Sequence, residues 1–280
     1  MCIEKDISRV YNNIVCPDMQ DMYYHNCEVS VLYYCCGISD KGAVCDSNED
    51  AVLINKRVFT DDHEECELEA PFIAAVADGV GGENAGEVAS HMALEQLSAL
   101  KYGKKTDLSA KLMNIHTKLR RYAAVHSGHA NMQTTLCALA VDEDERAFAV
   151  NVGDSRMYRC RGGCIRQLST DQSLVQMLYE QGRITADEKK THAQKNVIFP
   201  VLGNASEEPQ PCITEIIGGV QRGDIIIICS DGLSDYITQG EFEEILALPM
   251  RLPRRIAKLA EAAIKNGSPD NVSVVGVSMV

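Results

Sequence analysis

The 280-residue chain has no tryptophan and only five phenylalanines, so its hydrophobic content of 45% has to be packed mainly by aliphatic side chains. No uninterrupted apolar run reaches the length of a membrane span, and no basic flank followed by an apolar segment opens the chain. Neither a transmembrane helix nor a secretory signal is expected. No Pro-, Gly- or Ser-rich linker divides the sequence, which favours one large domain over two small ones. Positive charge is scarce as well: 27 Lys and Arg stand against 40 Asp and Glu, a net charge of −13. That balance argues against a nucleic-acid partner and repels phosphorylated partners at long range, so any phosphate site needs local cations. Cys-x-x-Cys spacing is missing among the twelve cysteines, seven of which fall at Cys2, Cys16, Cys27, Cys35, Cys36, Cys45 and Cys66. They read mostly as reduced, small apolar residues of a cytoplasmic protein. A metal or redox group of Cys16, His25 and Cys27 is the sharper alternative, with spacing unlike that of known zinc sites.

What the chain does have is a series of buried-type strands ending in acids. Phe72 to Ala77 is an apolar run with the look of a strand covered on both faces, and Asp78 follows where it leaves the core. Gly79, Gly81 and Gly82 then let the backbone fold back tightly and expose carbonyls. Ile225 to Cys229 repeats the design before Ser230-Asp231-Gly232. Val150 to Val152 leads to Gly153-Asp154-Ser155-Arg156, Ser268-Pro269-Asp270-Asn271 precedes a closing apolar run, and Asn48-Glu49-Asp50 precedes Ala51 to Ile54. If these ends converge, five or six carboxylates share one cleft. Like charges that close need cations, and oxygen-only ligation suits hard divalent metals.

Asn48-Glu49-Asp50, Val76 to Gly82, Thr134-Thr135, Val152 to Arg156, Ser230-Asp231-Gly232 and Pro269-Asp270-Asn271 together resemble the ordered signature of the PPM (PP2C-type) metal-dependent protein phosphatases, in their bacterial single-domain form. The resemblance covers residues 29–280 and leaves 1–28 as an extension of uncertain structure. It implies an α+β fold, a four-layer α/β/β/α sandwich with two central antiparallel sheets, which agrees with the alternating hairpins and inserted helices of the sequence. It also implies two Mn2+ or Mg2+ ions and a weaker third. Asp78 would bridge the two ions, with the Gly79 carbonyl on one and Asp231 and Asp270 on the other. Glu49 and Asp50 would be direct ligands or hold metal-bound water, and Asp154 would serve the third ion. Asp78, Asp231 and Asp270 are thus the expected catalytic acids, with a metal-bridging hydroxide attacking phosphorus directly.

The resemblance departs at two points. Where the family usually carries a phosphate-gripping Arg, this chain has Cys45, whose thiol lacks the charged fork a phosphate prefers. Lys41, Lys56 or Arg57 are candidate replacements. Val80 stands where some members place a His after Asp-Gly.

Along the chain, Val29 to Ser39 reads as a strand and Asp61 to Glu65 as a solvated acidic hairpin loop. Glu83 to Leu100 is an amphipathic helix, and Thr106 is the expected N-cap of a second. His116, His126 and His129 read as solvent-facing or capping residues, and Arg156 as the partner of a neighbouring carboxylate. Residues 170–206 break the strand rhythm at the position of the family's flap, with a capping box at Thr185 and Glu188 and with Arg183, Lys189, Lys190 and Lys195 available to attract substrate. Thr238 and Glu241 cap a later helix, and Pro253 opens the last. Three functional readings follow. The first is a cytoplasmic, monomeric phosphoserine/phosphothreonine phosphatase acting on substrates of a Ser/Thr protein kinase. The second is a pseudophosphatase binding module, supported by Cys45, and the third is a structural Ca2+ domain.

Overall fold

The computed structural model of the protein describes residues 31–81 and 85–280. The expected N-terminal extension, the Cys16/His25/Cys27 group and Gly82 lie outside the described residues. Strands β1 (Leu32–Asp40), β2 (Asp50–Ile54), β3 (Arg57–Phe59), β4 (His63–Glu69) and β5 (Phe72–Val80) precede helices α1 (Ala85–Ser98) and α2 (Leu108–Val125). Next come β6 (Gln133–Thr134), β7 (Leu136–Val141), β8 (Ala147–Val152), β9 (Arg156–Arg161) and β10 (Cys164–Gln167), then the short helices α3 (Leu174–Glu180) and α4 (Ala186–Thr191). The chain continues through β11 (Cys212–Ile216), β12 (Ile225–Cys229), α5 (Asp231–Ser234), α6 (Gln239–Leu246), α7 (Leu252–Lys265) and β13 (Val272–Met279).

The strands form two sheets, in the orders β10-β9-β12-β13-β1-β4 and β11-β8-β7-β5-β2-β3, and β6 pairs separately with β5. All pairings between these strands are antiparallel. Because side chains alternate along a strand, each central strand feeds two apolar layers. Ile226 and Ile228 of β12 and Val76 of β5 meet between the sheets with Tyr33, Met157 and Leu139. Ile227 and Cys229 turn outward onto Phe242, Ile256 and Leu259 of the second helical layer. Ala75 and Ala77 of β5 turn the other way, onto Ala89, Ala93, Leu112 and Leu119. This is the expected four-layer sandwich, and it explains why β5 and β12 read as continuous apolar runs.

The capping signals at Thr185 and Thr238 form complete capping boxes, and Pro253 sits in the first turn of α7. The cap of α2 is Asp107 rather than Thr106: the Asp107 carboxylate accepts from the Ala110 N–H at 3.0 Å, while the Thr106 hydroxyl accepts from Gly103 N–H. His63, Glu64 and Glu65 belong to β4 and not to a loop. Among the described residues β4 is an edge strand, paired with β1 alone, and it turns Glu65, Glu67 and Glu69 outward. His116 is buried, its Nδ1 accepting from the Gly203 N–H at 3.1 Å, so its expected solvent-facing role does not hold. Five of the nine described cysteines are buried as small apolar residues, whereas Cys164 and Cys212 are exposed. No helix among the described residues is long and apolar enough to cross a membrane.

Candidate active site

Both sheets deliver carboxylates to one end of the sandwich. In the second sheet, Asp50 at the start of β2 lies opposite Asp78 near the end of β5. Asn48 sets up this arrival: its Oδ1 accepts from Asp50 N–H, and its amide donates to Ser39 Oγ and Asp61. The Asp78 backbone is held on both sides, its N–H donating to Thr135 Oγ1 at 3.0 Å and its carbonyl accepting from Thr135 N–H and the Thr134 hydroxyl. In the first sheet, β12 ends at Ser230, whose hydroxyl accepts from Ser273 N–H and whose own N–H donates to the Ser273 carbonyl. Asp231 follows immediately at the first turn of α5. Asp270 precedes β13, and Asn271 ties the sheets together: its Oδ1 accepts from Glu49 N–H while its amide donates to the Lys41 and Ser47 carbonyls.

Two glycines are demanded by close approach. A Cβ on Gly79 would lie 2.2 Å from the Gly86 carbonyl oxygen, and one on Gly232 would lie 2.0 Å from that of Asn271. Gly79 is therefore not the turn residue that the sequence suggested. It is the last but one residue of β5, its N–H donates to the Glu49 carbonyl at 3.1 Å, and its lack of a side chain lets α1 reach the site.

These ends enclose a cleft of about 500 Å³, with Glu49, Asp78, Gly79, Asp154, Asp231 and Asp270 on its walls. Of the seven residues expected to hold metal, only Asp50 does not line it. Asp50 is 1% exposed and hydrogen-bonds Ser230 and Ser273 behind the wall. Burial, opposed by those two hydroxyls and reinforced by Asp231 and Asp270, pushes Asp50 up to about 7. Burial and the neighbouring acids Asp231 and Asp171 push Asp154 up to about 7, while burial with Asp270 and Asp235 brings Asp231 to about 6. Asp78 is raised further, by burial and then by Asp50, Asp231, Asp154 and Asp270. Asp50 Oδ2 and Asp231 Oδ1 are buried without a hydrogen-bond partner.

Among the described residues no three acids are closed into a finished ligand cluster. The donor set nevertheless fits hard divalent ions: it is all oxygen, it is crowded with like charge, and it includes a buried carboxylate oxygen, Asp231 Oδ1, that no described residue satisfies.

Among the described residues, no Lys, Arg or His side chain lines this cleft. The candidate replacements for the missing Arg are not there: Arg57 pairs with Asp62 and Glu64, and neither Lys41 nor Lys56 belongs to the wall. Cys45 does, its Sγ donating to the Pro269 carbonyl at 3.2 Å. Burial and the acids Asp270, Asp50, Glu49 and Asp46 push its thiol up, which leaves it protonated rather than a reactive thiolate.

Arg156 pairs with a carboxylate as expected, and more. It makes a forked contact with Asp171 (Nη2 to Oδ2 2.8 Å), donates to Ser234 Oγ and pairs with Asp235 at 3.0 Å. Lys189 joins Asp171 at 3.1 Å. The segment after β10 is thereby tied to α5, whose first residue is Asp231. Backbone bridges Ser173 to Ile198 and Thr134 to Leu202 bring the far end of that segment back to the site. Asn196 and Ile198 consequently line the cleft, and no local motif in the sequence announces either. Asn271 was visible within its motif, but its bridging work was not.

A family model described as Protein phosphatase 2C matches residues 51–264. The serine/threonine protein phosphatase PstP of Mycobacterium tuberculosis is 34% identical over 256 residues, 86% of this chain, and this chain spans 44% of that protein's length. The serine/threonine phosphatase stp of Listeria monocytogenes is 32% identical over 248 residues, 85% of this chain and 92% of its own. A solved catalytic domain of a serine/threonine protein phosphatase PstP in complex with two manganese ions superposes with a TM-score of 0.71 at 32% identity, covering 89% of this chain and 99% of that domain. With the sandwich, the ordered strand-end acids and these matches together, the chain belongs to the protein phosphatase 2C family.

Proposed function

We propose that this protein is a metal-dependent phosphatase that hydrolyses phosphoserine and phosphothreonine in proteins. The observation that carries the reading is the delivery of acids from two sheets to one cleft, with the buried Asp231 Oδ1 left unpaired among the described residues. Asp78, Asp231, Asp270, Glu49 and the Gly79 carbonyl would hold two Mn2+ or Mg2+ ions, and Asp154 a weaker third. Asp50 lies behind them, beside Ser230 and Ser273. When bound, such ions supply the positive charge that the walls lack, Lewis-acid stabilisation at phosphorus and a water acidic enough to attack near neutral pH. The protein's own part is orientation: the Thr134/Thr135 clamp fixes Asp78, the Ser230/Ser273 pair fixes the start of α5, and Asn271 fixes the spacing between the sheets. The substrates would be products of a Ser/Thr protein kinase, met in the cytoplasm by a monomeric enzyme.

The test is hydrolysis of a phosphothreonine peptide and of p-nitrophenyl phosphate with Mn2+, with Mg2+ and with EDTA, alongside Asp231→Asn. Turnover should need metal and be lost in the variant. Mn2+ at about a hundred times its Kd should also stabilise the wild type by about 2.7 kcal/mol, read as a rise in melting temperature that Asp231→Asn diminishes. One observation favours a second reading: with Cys45 and no cationic wall residue among those described, the domain would be a pseudophosphatase that binds phosphoproteins. A wild type that binds Mn2+ but is silent on both substrates, and is rescued by Cys45→Arg, would establish it.

A further inference from the structure

The cleft adjoins a second, larger basin of about 710 Å³, and the two share Asp154, Asn196 and Asp231 as a common wall. Their electrostatics are opposite. The cleft presents acids and no cation, whereas the basin is lined by Arg156, Lys189, Lys190 and Lys195. Apart from the shared wall, its only carboxylates among the described residues are Asp171 and Asp235. Those two are already engaged: Asp171 by Arg156 and Lys189, and Asp235 by Arg156 at 3.0 Å and Lys195 at 3.7 Å. Lys190 pairs with Asp187 at 3.6 Å, and both side chains are largely in solvent. Outside the shared wall the basin thus sets four cations against two carboxylates, so in a chain with a net charge of −13 it carries an excess of positive charge directly beside the place where a phosphorylated residue would sit.

We propose that this basin is a specificity site that receives an anionic residue flanking the phosphorylated one, with Lys190 and Lys195 as the residues that read it. The inference rests on the phosphatase reading and adds the substrate class: phosphoproteins with Asp, Glu or a second phosphate close to the target residue. The acidic cleft cannot offer such a side chain a partner, and the lysine-lined wall can. An ion pair to an exposed lysine contributes up to about 1 kcal/mol, so discrimination of about three- to tenfold is expected from one or two of them.

The experiment uses phosphothreonine peptides with a neutral background, in which a single Glu, Lys or phosphoserine is moved over about four positions on either side of the phosphothreonine. For each protein the readout is the kcat/KM of each peptide relative to its neutral parent, so a general loss of activity cancels. Wild type should prefer Glu or phosphoserine at one side and register by about three- to tenfold, with the preference fading as salt is raised from 50 to 500 mM. Glu winning at that register assigns a carboxylate reader, and phosphoserine winning alone assigns a reader of doubly phosphorylated segments. Lys190→Glu, and more strongly Lys190→Glu with Lys195→Glu, should move the preference to Lys at the same position, and Lys190→Ala should erase part of it. Equal use of all peptides by wild type, or a Glu preference untouched by the lysine variants, overturns the proposal. Hydrolysis of p-nitrophenyl phosphate by wild type, which has no flanking residues, reports on the phosphatase reading separately. If wild type turns over nothing, titrating the same peptides by fluorescence anisotropy gives the same ratios as binding and decides the basin's role.

Discussion

Replacing Cys45 by Arg probes the most unusual property of the site, an acid-walled cleft without a cationic side chain among the described residues. The position is partly exposed on the turn between β1 and β2, and Sγ makes one contact, to the Pro269 carbonyl at 3.2 Å, so the longer side chain has solvent to extend into and little to break. A guanidinium reaching the phosphate adds a charge-assisted, two-pronged contact of about 1.5–3 kcal/mol, which corresponds to a factor of about ten to a hundred and fifty. The gain should appear in KM for p-nitrophenyl phosphate and for a phosphothreonine peptide, and in the inhibition constant of inorganic phosphate, all falling together at saturating Mn2+. A change confined to kcat would not fit, because the phosphate is bound before and after the bond breaks. The competing outcome is also readable. Asp270, Asp50, Glu49 and Asp46 all act on the Cys45 thiol, so they are the carboxylates nearest to a new guanidinium. Capture by them would leave KM and phosphate inhibition unchanged and weaken Mn2+ binding, and that result would refute the claim that the cleft lacks only a phosphate clamp.

Removing Arg156 leaves Asp171, whose side chain is 2% exposed, without its forked partner, so Arg156→Ala should lose about 3–5 kcal/mol in urea denaturation at neutral pH; a loss below about 1 kcal/mol would contradict the network. Gly232→Ala would place a Cβ 2.0 Å from the Asn271 carbonyl oxygen, so it should cost at least about 1–3 kcal/mol and abolish turnover by displacing Asp231 and Asp270, while Gly240→Ala, with nothing within 4 Å, should be harmless; equal behaviour of the two variants would refute the contact argument. Burial, with Arg120 adding to it, depresses His116 below its ordinary value of about 6.5. The neutral ring is the form the fold accommodates, so its contribution is fully present above that unfolded value and is lost as pH falls through the lower folded one. His116→Asn, which keeps an acceptor for the Gly203 N–H, should therefore show a smaller stability loss than wild type between pH 7.5 and 5.0, measured by urea denaturation at each pH; an equal or larger loss would count against it.

Much of this could be read from the chain because the acids follow strands buried on both faces. Phe72 to Ala77 and Ile225 to Cys229 have no polar face to confuse the reading, and a carboxylate directly after such a run has to emerge at the end of the sheet. Capping boxes at Thr185 and Thr238 were equally plain, since their chemistry is local. Edge strands were harder. In β4 the inward positions are Glu64, Cys66 and Leu68, so an acid stands on the interior face as it does along the outer one and masks the alternation. The strand β11 faces solvent along most of its length and gave no signal. Thr106 and Asp107 are both competent caps, and only the three-dimensional path of residues 103–107 decides between them. Within the site, Asn196 and Ile198 arrive through backbone bridges across more than twenty residues, and the partners that occupy Arg57 are likewise a tertiary matter.

The acids come from opposite halves of the sandwich. Glu49, Asp50 and Asp78 ride on one sheet, Asp231 and Asp270 on the other, and Asp154 sits on the connection that passes between them. The distance across the cleft is therefore inherited from the thickness of the aliphatic layer between the sheets, where Met157, Leu139, Ile226 and Val76 lie far from any chemistry. A methylene lost there would shift one half of the ligand set relative to the other. Ions held across that seam would in turn act as a clasp on the two halves, so the protein's core volume and its metal affinity are quantities that cannot drift independently in evolution.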